Sequence, residues 1–337
     1  MSVRTAAFFR RAAAWILTVA CAAGCATPPR TPLQLLPASE LRFASRDDGA
    51  RLLAARDEFV GCLSEFDRAA RTGLQPPVSD DAYLAFTSAQ ALDWTPEEVQ
   101  TLRTLMERVS GRIRGWRLPL PPTVTLVKTT GKEEGGALYT RGAAIFLPEE
   151  FVRGLGSESR ENVLIHELFH VLSRNAPDLQ RRLYQIVGFQ IGGDLDLPPA
   201  LARRKITNPD APRVNCYLPI EKEGRTLQLA PLLLAKSAEY DTARGGGVFA
   251  YLTLRLVEAS PEGGRWICAP KGGEPRLHEI DSVPEYQEKI GRNTDYIIHP
   301  EEVLADNFVL LATGADPQKL PTPRILEEMR AVLERLP

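Results

Sequence analysis

Apolar residues recur at helical spacing from Asp47 to Ala70 (Leu52, Leu53, Phe59, Val60, Leu63, Phe66), which predicts a helix there. Thr95-Pro96-Glu97-Glu98 combines a capping box with proline at the first helical position, so a second helix should run to about Trp116. Pro119 to Pro122 ends it. Two strand-like stretches follow, Thr123 to Val127 and Ala137 to Leu147, divided by the turn-forming Gly131 to Gly136. Helical periodicity returns from about Ser159 to Ser173, and again from Asp178 to Ile191, where Gly192-Gly193 stops it. Between Pro212 and Pro284 the pattern shortens to apolar runs such as Leu227-Gln228-Leu229 and Trp266-Ile267-Cys268, cut by glycine and proline, which reads as a β-rich insertion. Ser282-Val283-Pro284-Glu285 opens a short helix, His299-Pro300 a longer one to Gly314, and Pro323 to Leu336 a last amphipathic one.

Helices and strands segregated in this way give an α+β class. A length of 337 residues allows one large domain or two modest ones, and 44% hydrophobic with 25% charged residues is ordinary globular composition. After the first 25 residues no apolar run is long enough to span a bilayer. The formal charge of −2, with no basic run, excludes nucleic acid as an expected partner.

The N-terminus changes the picture. Arg4, Arg10 and Arg11 precede the apolar run Ala12 to Ala20, the layout of a secretory leader. Ala22-Ala23-Gly24-Cys25 resembles the cleavage box of bacterial lipoproteins, which implies lipidation of Cys25 and attachment to a membrane on the periplasmic side of the cell envelope. A simply cleaved leader is the alternative, and Cys21 a second candidate. Residues 26–45, rich in Pro, Ala and Thr, read as a tether, 46–120 as a helical packing region, and 121–337 as the main domain, with the insertion at about 212–283. An oxidising compartment favours pairing two of Cys62, Cys216 and Cys268, and Cys216 with Cys268 is the expected pair because both fall in the β-rich part.

The chemistry concentrates in His166-Glu167-Leu168-Phe169-His170, which holds two of the four histidines. Positions i and i+4 share a helix face, so both imidazoles can reach one Zn²⁺, and Glu167 lies beside them as general base for a water at the metal. The helix is apolar nearly all round, so unpartnered imidazoles and a carboxylate inside it would be costly. A third ligand is needed. In the downstream apolar helix Glu302 shares a stripe with Asp306, which suits Glu302 as ligand and Asp306 as the group fixing a histidine tautomer. Glu301, Asp194 and Asp196 could stand in for Glu302 as third ligand.

HExxH completed by Glu302-Val303-Leu304-Ala305-Asp306 on a second helix resembles the gluzincin, thermolysin-like metallopeptidases. The resemblance implies a zincin-like core, a small mixed sheet plus active-site helices, and a zinc peptidase acting on peptide or protein substrates. It also implies that the strand before the active-site helix, with Tyr139, Thr140 and Arg141, is a sheet edge on which an extended peptide docks. Transition-state donors are sought among Tyr296, His299, Tyr217 and Tyr240. Two rival readings remain: a catalytically silent zinc-binding envelope lipoprotein, and an amidase acting on cell-wall peptides.

Overall fold

The computed structural model describes residues 33–336 apart from 155–156, 223 and 269–272. The leader, with Cys21 and the lipidation candidate Cys25, lies outside the described residues. The chain begins with β1 (Leu33–Leu36) and β2 (Ser39–Phe43), joined by a turn at Pro37. The tether expected over residues 26–45 is therefore strand from Leu33 onward. Leu35, Leu36 and Leu41 are buried, and β2 pairs along Glu40 to Phe43 with a core strand.

Three helices replace the single one expected over Asp47 to Ala70: α1 (Arg46–Leu53), α2 (Glu58–Cys62) and α3 (Glu65–Thr72). The reason is local. Ser45, Asp57 and Ser64 each accept a backbone N–H three residues on, so the polar positions in that stretch are N-caps rather than exposed helix positions. After α4 (Asp80–Ser88) and the short β3 (Ala91–Leu92) comes α5 (Pro96–Ile113), opened by the reciprocal Thr95–Glu98 capping box.

β4 (Thr123–Thr129), β5 (Tyr139–Arg141) and β6 (Ala144–Pro148) complete the first sheet. Its order is β1-β2-β4-β6-β5, with β2, β4 and β6 parallel, β5 antiparallel at one edge, and β3 paired to the far end of β4. The stretch expected as one strand from Ala137 to Leu147 is thus a hairpin. Gly142 makes the turn with φ of 58°, a conformation that favours glycine. Alternation sorts the sheet's two faces: Val124, Leu126, Ile145 and Leu147 face the main core, while Val127, Ala144 and Phe146 face the cluster that includes Leu53 of α1.

Next come α6 (Glu149–Gly154), α7 (Ser157–Asn175) and α8 (Pro177–Ile186). α8 ends before the expected Ile191, because Gly188 has φ of 81° and Gln190–Ile191 is already strand β7. β8 (Leu195–Asp196), α9 (Pro199–Arg204), β9 (Cys216–Lys222), β10 (Arg225–Ala235), α10 (Val248–Tyr251), β11 (Leu252–Glu262), β12 (Arg265–Ile267) and β13 (Leu277–His278) follow. They build a second sheet in the order β7-β9-β10-β11-β12-β8, with β13 on β11. The chain closes with α11 (Pro284–Ile290), α12 (Pro300–Ala312) and α13 (Pro323–Glu334). Two sheets with helices packed around them make the fold α+β.

α7 is the central element. It packs against β5, β6, α5, α8 and α12, and Leu164, Ile165, Leu168, Phe169, Val171 and Leu172 are all buried. Cys62, Cys216 and Cys268 are free thiols, which corrects the expected Cys216–Cys268 bridge. Cys216 opens β9 in the main core, whereas Cys268 follows β12 in a separate cluster with Leu195 and Tyr217, and β9 and β12 are not neighbours. No helix among the described residues is long and apolar enough to cross a membrane.

The packing of α7 gives a direct test. Leu168→Ala should destabilise the protein by roughly 2–5 kcal/mol in a denaturant titration. A loss under about 1 kcal/mol would mean that α7 is not held between these layers.

Candidate metal centre

One turn separates His166 from His170 on α7, and their ring centroids lie 4.7 Å apart. α12 lies against this face and brings Glu301 and Glu302 in its first turn, with Asp306 a turn further on. Nε2 of His166 is 3.1 Å from Oε2 of Glu302, and Nε2 of His170 is 3.5 Å from the same oxygen. Ligand bonds of about 2.0–2.1 Å to a tetrahedral cation set ligand atoms about 3.3 Å apart, so the spacing is that of a coordination shell. His170 is fully buried, and its Nε2 has no hydrogen-bond partner among the described residues. An unsatisfied buried nitrogen costs about 1–3 kcal/mol, a cost removed if its lone pair is given to a cation. The structure thus brings His166, His170 and Glu302 together, with one possible ligand atom from each within 4.8 Å of the others, a donor set that fits a divalent ion.

The outward atoms of the three groups are each fixed. His166 Nδ1 donates to Asp306 Oδ1 at 2.9 Å, the role expected of Asp306, and the Thr294 hydroxyl donates to the other oxygen of that carboxylate. His170 Nδ1 donates to Glu301 Oε1 at 3.1 Å, while Ser173 and Tyr184 donate to Glu301 Oε2 at 2.8 and 2.6 Å. Glu301 thus orients His170 rather than replacing Glu302. Glu302 Oε1 accepts from Asn208 Nδ2 at 2.6 Å, which leaves Oε2 for the ion. Asp194 and Asp196 are both engaged away from the centre, Asp194 with Arg213 and Asp196 with Arg265, so neither replaces Glu302 as third ligand.

Glu167 is 4% exposed, and Oε2 accepts from the Thr140 hydroxyl at 2.8 Å. Its carboxylate lies in a second group with His170 and Asp210, ligand atoms again within 4.8 Å of one another. β5 is the sheet edge, as expected, but its outward backbone groups at Thr140 are already used. Thr140 N–H donates to Asp210 Oδ1 at 2.7 Å, and Thr140 C=O accepts from Arg174 at 2.9 Å. Tyr139 stacks on Phe146 and Arg141 pairs with Asp57, so neither side chain faces an open groove. The expected free edge for an added peptide strand is corrected accordingly: Thr140 serves the site by holding Glu167.

Of the four expected donors only Tyr296 reaches the centre, its ring 6.2 Å from that of His166 and tilted by 25°. Burial, then Glu302, Asp210 and Asp306, push its phenol well above the usual range, so it stays protonated. His299 is the N-cap of α12, Nδ1 accepting from Glu301 N–H, and burial lowers it to about 4, so it is a neutral cap. Tyr217 stacks on Trp266 and donates to Gly193 C=O, and Tyr240 donates to Gly246 C=O; both lie elsewhere.

Burial opposes charge on both metal-facing rings, yet the carboxylates outweigh it. Asp306 and Glu302 hold His166 up at about 10, and Asp210, Glu302 and Glu301 raise His170 well above its ordinary value. Burial would raise Glu302 too, but the two rings hold it well below the usual range. Burial raises Glu167 and Asp210. Without a metal, protons on the two rings neutralise the acids; a dication would displace them.

Asn208, Asp210 and Arg174 were not foreseen. The only local signal is Asn208-Pro209-Asp210-Ala211-Pro212, a turn-rich pentapeptide with no periodicity. The chain matches no protein-family model, no curated protein and no solved structure.

Two outcomes follow from this geometry. Asn208→Ala should weaken metal binding about 10–100-fold in a chelator competition, since it frees the third ligand; unchanged affinity would remove Asn208 from the centre. The folded-state value of His166 is raised, so in metal-free protein its contribution to stability is complete below about pH 6.5 and is lost as pH rises through about 10. Thermal melts should show that decline in metal-free protein and not in metal-loaded protein.

Proposed function

We propose that this protein is a zinc-dependent hydrolase of peptide bonds. One observation carries the reading: two imidazole Nε2 atoms and one Glu302 oxygen converge at 3.1–3.5 Å while the outer atoms of all three groups are fixed by neighbours. Two imidazoles and a carboxylate form a donor set suited to zinc. When bound, zinc supplies Lewis-acid activation of water near neutral pH. Glu167, oriented by Thr140, takes the proton of the attacking water and returns it to the leaving amine. Tyr296, protonated and beside His166, is the phenol available to donate to the oxyanion that develops on the scissile carbonyl.

The same arrangement supports the finer fold reading, a zincin-like core within residues 121–337, with HExxH on α7 and the ExxxD pair on α12. We place the protein on the periplasmic side of the bacterial envelope, lipid-anchored through Cys25, on the strength of its leader. Glu167→Gln should keep about one zinc per chain yet lower hydrolysis of a peptide library by about 10²-fold or more. Peptidoglycan fragments assayed in parallel separate proteolysis from wall-peptide amide cleavage. Undiminished cleavage by Glu167→Gln would sink the assignment of the base.

A further inference from the structure

Asp210 has no part in the mechanism above, yet it stands beside two of the groups that do. Apart from His166, His170 and Glu302, one other set of three candidate ligands converges among the described residues: Glu167, His170 and Asp210, with a ligand atom of each within 4.8 Å of the others. Nδ1 of His170 is held by Glu301, so the atom left for either set is Nε2, which is buried and has no hydrogen-bond partner among the described residues. Both acids are fastened by Thr140, Glu167 Oε2 through the hydroxyl at 2.8 Å and Asp210 Oδ1 through the N–H at 2.7 Å. No protein group among the described residues donates to the second oxygen of either acid.

Asp210 is held in this place by its backbone. Its N–H donates to Asn208 Oδ1 at 3.1 Å, and Arg174, one turn beyond His170, donates to the carbonyls of Pro209 and Asp210 at 3.0 and 2.9 Å. Pro209 restricts the chain further, so little freedom remains to be lost in presenting the carboxylate. Two carboxylates brought this close repel each other, and Arg174 is bonded to backbone carbonyls rather than to either of them. A dication between the acids offsets that repulsion and gives the buried nitrogen of His170 a partner.

We propose that Glu167, His170 and Asp210 form a second cation position, alternative to the one formed by His166, His170 and Glu302. Both sets draw on the same nitrogen of His170, so one divalent ion is held at a time. One imidazole with two carboxylates is a harder donor set than two imidazoles with one carboxylate, which shifts its preference from Zn²⁺ toward Mn²⁺. With the second set occupied, Glu167 is engaged in coordination and cannot take a proton from water. The two sets therefore define a competent and a silent arrangement of one centre. This inference rests on the metal reading given under Proposed function.

The test titrates the full chain with Co²⁺, whose visible spectrum reports its ligands, in wild type, Glu302→Gln, Asp210→Asn and the double variant, with affinities from chelator competition. Glu302→Gln breaks only the first set. It should still take up one Co²⁺ per chain, at least about tenfold more weakly and with a changed spectrum, and adding Asp210→Asn should weaken that binding at least about tenfold more. Asp210→Asn alone should leave the wild-type affinity and spectrum unchanged, and the ratio of Mn²⁺ to Zn²⁺ affinity should be higher in Glu302→Gln than in wild type. His166→Ala, with and without Asp210→Asn, carries the same comparison if Glu302→Gln fails to fold. Equal Co²⁺ affinity in Glu302→Gln and the double variant, or no uptake by folded Glu302→Gln, would overturn the second position and leave the first standing. No Co²⁺ uptake by wild type would overturn the metal reading and this proposal together.

Discussion

The structure turns on how five acidic side chains and two imidazoles are kept inside an otherwise apolar layer. Glu167, Glu301 and Glu302 are almost wholly buried and Asp210 and Asp306 partly so; Glu301, Glu302 and Asp306 face His166 or His170 across the α7–α12 contact, while Glu167 of α7 and Asp210 of the loop before β9 lie close to His170. Such groups cannot be removed from water without compensating charge and directed hydrogen bonds. Every outward-facing atom of the three central groups has a partner, and Arg174 sits behind Asp210. On the inward face His166 Nε2 meets Glu302 Oε2 at 3.1 Å and His170 Nε2 alone lacks a hydrogen bond among the described residues; with both rings protonated, their charge offsets the acids.

Holding that cluster constrains the surroundings. α7 must be apolar on the faces away from the histidines, which explains why it sits between the first sheet, α5, α8 and α12. α12 is apolar for the same reason past its acidic first turn, where Val303, Leu304, Ala305 and Phe308 are buried. The N-terminal helices contribute as well. Arg71 and Asp67 of α3, with Glu134, form a buried ion-paired unit that grips Thr207, and Thr207 precedes the residue that orients Glu302. Region 46–120 is thus more than a spacer, because it fixes the segment next to the centre.

The parts legible in the sequence were those governed by short periods. His166 with His170 and Glu302 with Asp306 each follow i,i+4 spacing, so one helix wheel places each pair, and their apolar neighbours declare that both helices are buried. The capping box at Thr95 was equally local. What escaped depends on contacts distant in sequence. Asn208 meets Glu302 across 94 residues and Thr140 meets Asp210 across 70, and nothing in the intervening residues encodes either pairing. Leu33 to Phe43 looked like a tether because two short strands around Pro37 carry too few alternations to outweigh composition, and only pairing with β4 reveals them. The cysteine pairing failed because sharing a β-rich region says nothing about which strands adjoin.

The two histidines are not equivalent, and this asymmetry gives the centre a direction. The His170 side chain is sealed, with Glu301, Ser173 and Tyr184 behind it and Glu167 and Asp210 close by. The His166 side chain keeps 15% of its surface exposed, and its partner Asp306 keeps 33%, with Tyr296 alongside. The part of the pair that meets solvent is thus His166, beside Tyr296, whereas Glu167 is buried with its carboxylate held by Thr140. The two ends of the pair therefore differ in their access to solvent: His166 meets it, whereas His170 does not.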